Sequence, residues 1–154
     1  MKVVLQRVSE ASVTVDDQPV AAIGLGLLLL VGFARGDGEA ELKWMTEKVL
    51  HLRIFGDTEG QMNRSLQEIG GELLVVSQFT LYGDVRKGRR PSFAHAADSS
   101  LARVQYDRFV GMLRAQSVGR VEDGEFGSRM QVSLVNEGPV TLVIERAQTD
   151  QADR

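Results

Sequence analysis

Ser77, Gln78 and Thr80 place two hydroxyls and an amide directly after the apolar run 73–76, with Phe79 and Leu81 between and behind them. A strand that ends this way can present side-chain donors and free backbone N–H groups to a pocket. Donors so placed stabilise the oxyanion that develops when an ester or amide carbonyl is attacked. The plainer alternative is a strand edge that finishes in polar residues. Pattern alone favours that alternative, because single-sequence site assignments are weak.

A second unusual segment is Asn136-Glu137-Gly138-Pro139-Val140-Thr141. Gly-Pro is common in turns, so a hairpin turn between two strands accounts for it. The sharper reading is a rigid element whose carbonyls line a pocket, since X-Pro bonds are the ones that readily become cis. Arg86, Lys87, Arg89 and Arg90 surround Gly88 in a chain whose net charge is −3. Such a run is either a solvated loop or a local grip on phosphates.

Other chemistries find little support. The chain has two histidines, His51 and His95, and no cysteine, so neither a zinc cluster nor thiol chemistry is indicated and no metal is expected. No Gly-x-Ser-x-Gly pattern supports a nucleophile elbow. Gly24, Gly26 and Gly32 suggest a nucleotide loop at first sight, but Leu29 stands where the dinucleotide pattern needs glycine, and an apolar run follows where a helix is required.

The elements that must hold these residues can be read from periodicity. Alternation over 3–8 and again over 13–15 predicts the first two strands of a sheet, with Asp16 and Asp17 as a turn. A short strand is expected over 20–23. The continuous apolar runs 27–31 and 73–76 predict strands buried on both faces, the second running on into 77–81. Leu42, Met45, Val49 and Leu52 recur at helical spacing and predict a helix over 39–52. Ile54 and Phe55 begin a further strand. Asp98 is placed to cap a second helix reaching 116, with Leu101, Val104, Phe109, Met112 and Leu113 inward. Strands over 130–135 and 141–144 flank the Gly-Pro segment, and the tail 146–154 is polar and expected to fray. The sum is a single compact α/β domain over 1–145 with mixed sheets and two main helices.

A chain of 154 residues with 43% hydrophobic and 25% charged residues can bury a sizeable core as one domain. Polar residues interrupt the first apolar stretch too early for a signal peptide. The longest apolar stretch, 25–34, is roughly half of a membrane span. A soluble protein is expected. The net charge does not advertise a nucleic-acid binder, so any such contact must come from a local patch.

Taken together, the motifs resemble a known family. Ser77-Gln78-Phe79-Thr80-Leu81 and Asn136-Glu137-Gly138-Pro139-Val140-Thr141 are similar to the two signatures of the D-aminoacyl-tRNA deacylases, and stand at that family's separation. Gln6-Arg7-Val8, Ala11-Ser12-Val13, Arg53-Ile54-Phe55, Lys87-Gly88, Arg90-Pro91-Ser92-Phe93 and the run 130–136 match as well. The likeness covers 1–145, and its specificity lies in the ordered co-occurrence of modest motifs.

The resemblance implies β, β and α layers, and a cytoplasmic homodimer with its active sites at the interface. The implied substrate is the ester between a D-amino acid and the terminal adenosine of tRNA, with glycyl-tRNA also cleaved, and with no cofactor, DNA or membrane partner. Ser77, Gln78, Phe79 and Thr80 would line the pocket, with the N–H groups of Phe79 and Thr80 polarising the carbonyl. Gly138 and Pro139 would reach into the partner's pocket and leave no room for an L side chain. Arg7 would brace that segment, and Arg86, Lys87, Arg89 and Arg90 would contact the tRNA backbone. Thr80 is either a nucleophile without an obvious base or a lining residue beside a water that the neighbouring ribose hydroxyl orients. Tyr82-Gly83 departs from the small residues usual after the first signature. Two other readings stand beside the esterase: a non-catalytic tRNA-binding module, and a small-molecule hydrolase using Ser77 or Thr80.

Overall fold

The computed structural model describes residues 1–148. Its main sheet has six strands. Five run in the order β2-β1-β3-β6-β7, and β8 pairs with the free side of β1. The strands are β1 (Lys2–Val15), β2 (Gln18–Ile23), β3 (Gly26–Gly32), β6 (Glu72–Ser77), β7 (Val121–Asp123) and β8 (Gln131–Glu145). A small separate hairpin joins β4 (Phe55–Gly56) and β5 (Met62–Arg64). The helices are α1 (Glu39–His51), the one-turn α2 (Leu66–Ile69) and α3 (Ser99–Gln116).

Two cores explain the layering. Leu27, Leu29 and Val31 of β3, with Leu73 and Val75 of β6, face α1 and α3 in the larger core. The alternate residues Leu28, Leu74 and Val76 pack instead against Val8, Ala11, Val13, Ala21 and Ile23 in the second core. β3 and β6 therefore lie between a helical layer and a second β layer, which is why both read as continuous apolar runs. They are parallel, in register from Gly26 opposite Glu72 to Val31 opposite Ser77. Gly26 meets the Glu72 backbone so closely that a Cβ has no room there.

Residues 2–15 form one strand, not the two expected. Register shifts against β8 fall on either side of Val8. An extra residue at a bulge reverses which face the next side chain takes. Val3 and Leu5 serve the helical core and Val8, by plain alternation, the other; past the shift, Ala11 and Val13 join Val8 instead of returning to the helical core. Likewise β8 is continuous through Gly138 and Pro139, where a break was expected. Both of its halves pair with β1 in the same antiparallel sense, so the segment is an excursion and not a hairpin turn.

Helix α1 buries Leu42, Met45 and Val49 as its periodicity predicts, with Leu52 partly buried at its C-terminal cap. Asp98 caps α3 by accepting the Leu101 N–H. The inner stripe of α3 differs from expectation. Ala102, Gln105, Tyr106, Phe109, Val110 and Leu113 are buried, while Leu101 and Val104 face solvent. Small Ala102 and amphipathic Tyr106 set the phase, and Tyr106 donates its hydroxyl to the Val75 carbonyl at 3.0 Å. Of the polar tail expected over 146–154, residues 149–154 lie outside the described residues. Arg146 is not frayed: its N–H donates to the Met1 carbonyl at 2.9 Å and its carbonyl accepts from the Met1 amine. Among the described residues no helix is long and apolar enough to cross a membrane.

Candidate active site

β6 ends at Ser77, and the chain then turns through a 3-10 turn over Phe79–Tyr82 where an extension of the strand was expected. Gln78 closes the transition by donating its N–H to the Val31 carbonyl at 2.8 Å and accepting the Leu81 N–H at 3.2 Å. In such a turn the first N–H groups, those of Phe79 and Thr80, have no acceptor within it.

Ser77, Gln78 and Phe79 line a cavity of about 530 Å³. Phe126, Ser128 and Met130 line it as well, together with Ala102 of α3. That volume is the size of a small-molecule site. Thr80 is not among the lining residues. It is exposed, and its hydroxyl takes a hydrogen bond from the Gln78 amide at 2.5 Å. That contact fixes the amide against the turn. Phe126 and Ser128 carried no sequence signal, because they sit in an irregular segment between β7 and β8.

The Gly-Pro segment lies elsewhere in the chain. Gly138–Pro139 is a cis peptide, with Gly138 at φ +136°. The Asn136 side chain bridges the excursion, accepting the Val140 N–H at 2.8 Å and donating to the Thr141 hydroxyl at 3.0 Å. Arg7, from the bulged part of β1, clamps it. Its Nε donates to the Glu137 carbonyl at 2.8 Å and its Nη1 to the Ile54 carbonyl at 2.6 Å. The bracing expected of Arg7 is therefore present.

Within one chain the two signatures do not meet. Ser77 is level with Val31, Val31 with Val3, and Val3 with Ile144 on β8. The excursion falls between the Val8–Asn136 and Gln6–Thr141 pairs. Residues 136–141 are absent from the cavity lining, whereas Met130, just before β8, and Val132, at its start, are part of it. Beyond Ser77 the chain runs on in the direction away from the excursion.

The basic residues stand on a loop closed by mutual Asp84 and Ser92 backbone hydrogen bonds of 2.7 and 2.9 Å. Arg86 grips Asp84 with a guanidinium-carboxylate contact of 2.7 Å. That hydrogen bond holds the Asp84 carboxyl well below the usual carboxylate range, so the contact persists through that range and is lost only as pH falls below it. Lys87, Arg89 and Arg90 have no ion pair among the described residues and are exposed. No group of three potential metal ligands occurs among the described residues. His51 ends α1 beside Glu47, and His95 lies in the loop before α3.

Comparison with known proteins points one way. Residues 4–145 match the family described as D-Tyr-tRNA(Tyr) deacylase. A D-aminoacyl-tRNA deacylase of Chlorobaculum parvum is 57% identical, covering 94% of this chain and 97% of the relative. One of Thermomicrobium roseum is 59% identical over 96% of each. Among solved structures, a c-Myc DNA unwinding element binding protein superposes with a TM-score of 0.91 at 41% identity, covering 96% of this chain and 99% of the other. A probable eukaryotic D-amino acid tRNA deacylase shares the fold, with a TM-score of 0.82 at 24% identity over 93% of this chain and 97% of that one.

Proposed function

The chain belongs to the D-Tyr-tRNA(Tyr) deacylase family, and from that premise we propose a chirality-proofreading esterase whose active site is completed by two subunits. The reaction class is hydrolysis of the ester bond of D-aminoacyl-tRNA. The domain over 1–145 acts in the cytoplasm as a homodimer, without a resident cofactor. Glycyl-tRNA is also a substrate, because glycine has no side chain to reject.

The observation that carries the two-subunit reading is the separation of the signatures. A Gly138-Pro139 segment that takes no part in lining its own cavity, yet is held in place by Arg7 and Asn136, suits the cavity of another copy. The exposure of β8 agrees with this. No residue along its 15 positions is buried, and Val143 is 73% exposed. A strand with that much open apolar surface is one that a partner covers.

The cavity takes the terminal adenosine and its ester. The Phe79 N–H, on the cavity lining, receives the carbonyl oxygen as it gains charge, and the Thr80 N–H, one residue beyond the lining, supports it from the rim. Water adds to the carbonyl carbon, the bond to the ribose oxygen breaks, and that oxygen leaves with a proton as a hydroxyl. The adjacent ribose hydroxyl orients the water. Ser77 and Gln78 shape the wall. Gly138 and Pro139 of the other subunit hold the amino group and occupy the space an L side chain would need.

The test is paired deacylation of D-Tyr-tRNA and L-Tyr-tRNA with a chelator present. Rapid loss of the D-ester alone, unaffected by chelator, is expected. Cleavage of neither points to a tRNA-binding module, and cleavage of both removes the rejection role of Gly138-Pro139.

Thr80 has its hydroxyl tied to Gln78 and lies outside the cavity lining, so it is a poor nucleophile. Thr80→Ala is therefore expected to keep single-turnover cleavage within about tenfold of wild type. Abolition of cleavage with intact tRNA binding is the result of an acyl-enzyme route. The basic loop contacts the tRNA backbone. Neutralising Arg86 and Lys87 together should weaken binding to all tRNAs and flatten the salt dependence by about one unit of slope per lost phosphate contact. Unchanged affinity at low salt rules that contact out.

A further inference from the structure

Phe79 has two surfaces. It lines the cavity, yet 55% of it is exposed. The Phe93 ring, 37% exposed, meets it edge-to-face with centroids 5.0 Å apart. Phe93 follows directly on the closed basic loop, and its ring lies against Gly83, where a Cβ would come within 3.1 Å of it. Two partly bare aromatic rings, one of them lining the cavity, thus stand at the base of the closed loop that carries Lys87, Arg89 and Arg90, exposed and without an ion pair among the described residues. Aromatic faces beside a basic track are the chemistry of single-stranded nucleic-acid binding: bases stack while the cations follow the phosphates.

We propose that the Phe79–Phe93 pair is a stacking platform for the unpaired base that precedes the terminal adenosine, and that Lys87, Arg89 and Arg90 hold the phosphodiester leading to it. This rests on the deacylase reading, which seats the terminal nucleoside in the cavity. It adds a second nucleotide subsite outside that cavity and gives Phe93 a binding role. Stacking is tolerant of base identity, so the platform suits an enzyme that must accept the common end of many tRNAs.

The experiment compares three D-tyrosyl esters: adenosine, the trinucleotide CCA, and CCA with an abasic residue before the terminal adenosine. Each is tested with wild type and with Phe93→Leu, which keeps apolar bulk against Gly83 and Phe79 but removes the aromatic face. Wild type is expected to favour CCA over its abasic form by about tenfold in kcat/KM. In Phe93→Leu that ratio should fall to near unity. Three results overturn the proposal while leaving the deacylase reading intact. They are no wild-type preference for the base, an equal loss on all three esters (Phe93 then only props Phe79), and dissociation of the dimer (the rings are then covered by a second subunit). Failure of wild type to cleave any D-ester defeats both.

Discussion

Gly138→Ala is expected to lower single-turnover deacylation of D-Tyr-tRNA by on the order of 10²-fold. The argument is steric. At φ +136° an L side chain is strained, and a Cβ would stand 2.9 Å from Arg7 Nη2, 3.0 Å from Val140 Cγ2 and 3.1 Å from the Val140 nitrogen. Arg7 cannot retreat freely, because two of its nitrogens are committed to the Glu137 and Ile54 carbonyls. The segment must therefore shift relative to its clamp. A positioning element displaced by even an ångström loses alignment with the reacting group. The strain itself costs about 1–3 kcal/mol, small enough to leave a folded protein. Thermal unfolding and tRNA affinity should accordingly change little beside the rate. A wild-type rate in this variant would mean that the segment takes no part in catalysis.

How far the sequence reveals this site depends on the kind of signal each residue leaves. Leu27 to Val31 and Leu73 to Val76 are legible because burial on two faces demands an unbroken apolar run. The α1 stripe is legible because a helix on a sheet needs one wet face. The join of two apparent strands into β1 is not, since a bulge erases the alternation that would show continuity. The α3 stripe is misread for a related reason. Leu101 and Val104 look like core, but Ala102 and Tyr106 hold the inward positions, and hydropathy ranks them lower. At the site, Ser77, Gln78 and Phe79 stand out as polar or aromatic residues ending a buried strand, and they do line the cavity. Phe126 and Ser128 complete it from a segment without periodicity, so nothing local marks them. The Gly-Pro segment is conspicuous, but its absence from the lining of its own cavity follows from strand order and register, which single-sequence patterns do not encode.

That absence supports a second large effect, in the form of recovered activity. Phe79→Pro removes one of the two proposed N–H donors, at a first helical position where proline is tolerated. The preceding Gln78, at ψ 78°, is already outside the helical region that proline disfavours before it. Loss of one such donor lowers the rate by about 10²–10³-fold. Alone, Phe79→Pro and Gly138→Ala should each be nearly inactive. Co-expressed with different tags and purified through both, the two should form a heterodimer with roughly half the wild-type activity. One of its cavities then combines an intact Phe79 with an intact Gly138 from the other chain, while the second cavity has both defects. If each cavity were served by the Gly138 of its own chain, every site would retain one defect and nothing would be recovered. The mixed dimer therefore separates a site shared between subunits from one merely placed near an interface, without a structure of the assembly.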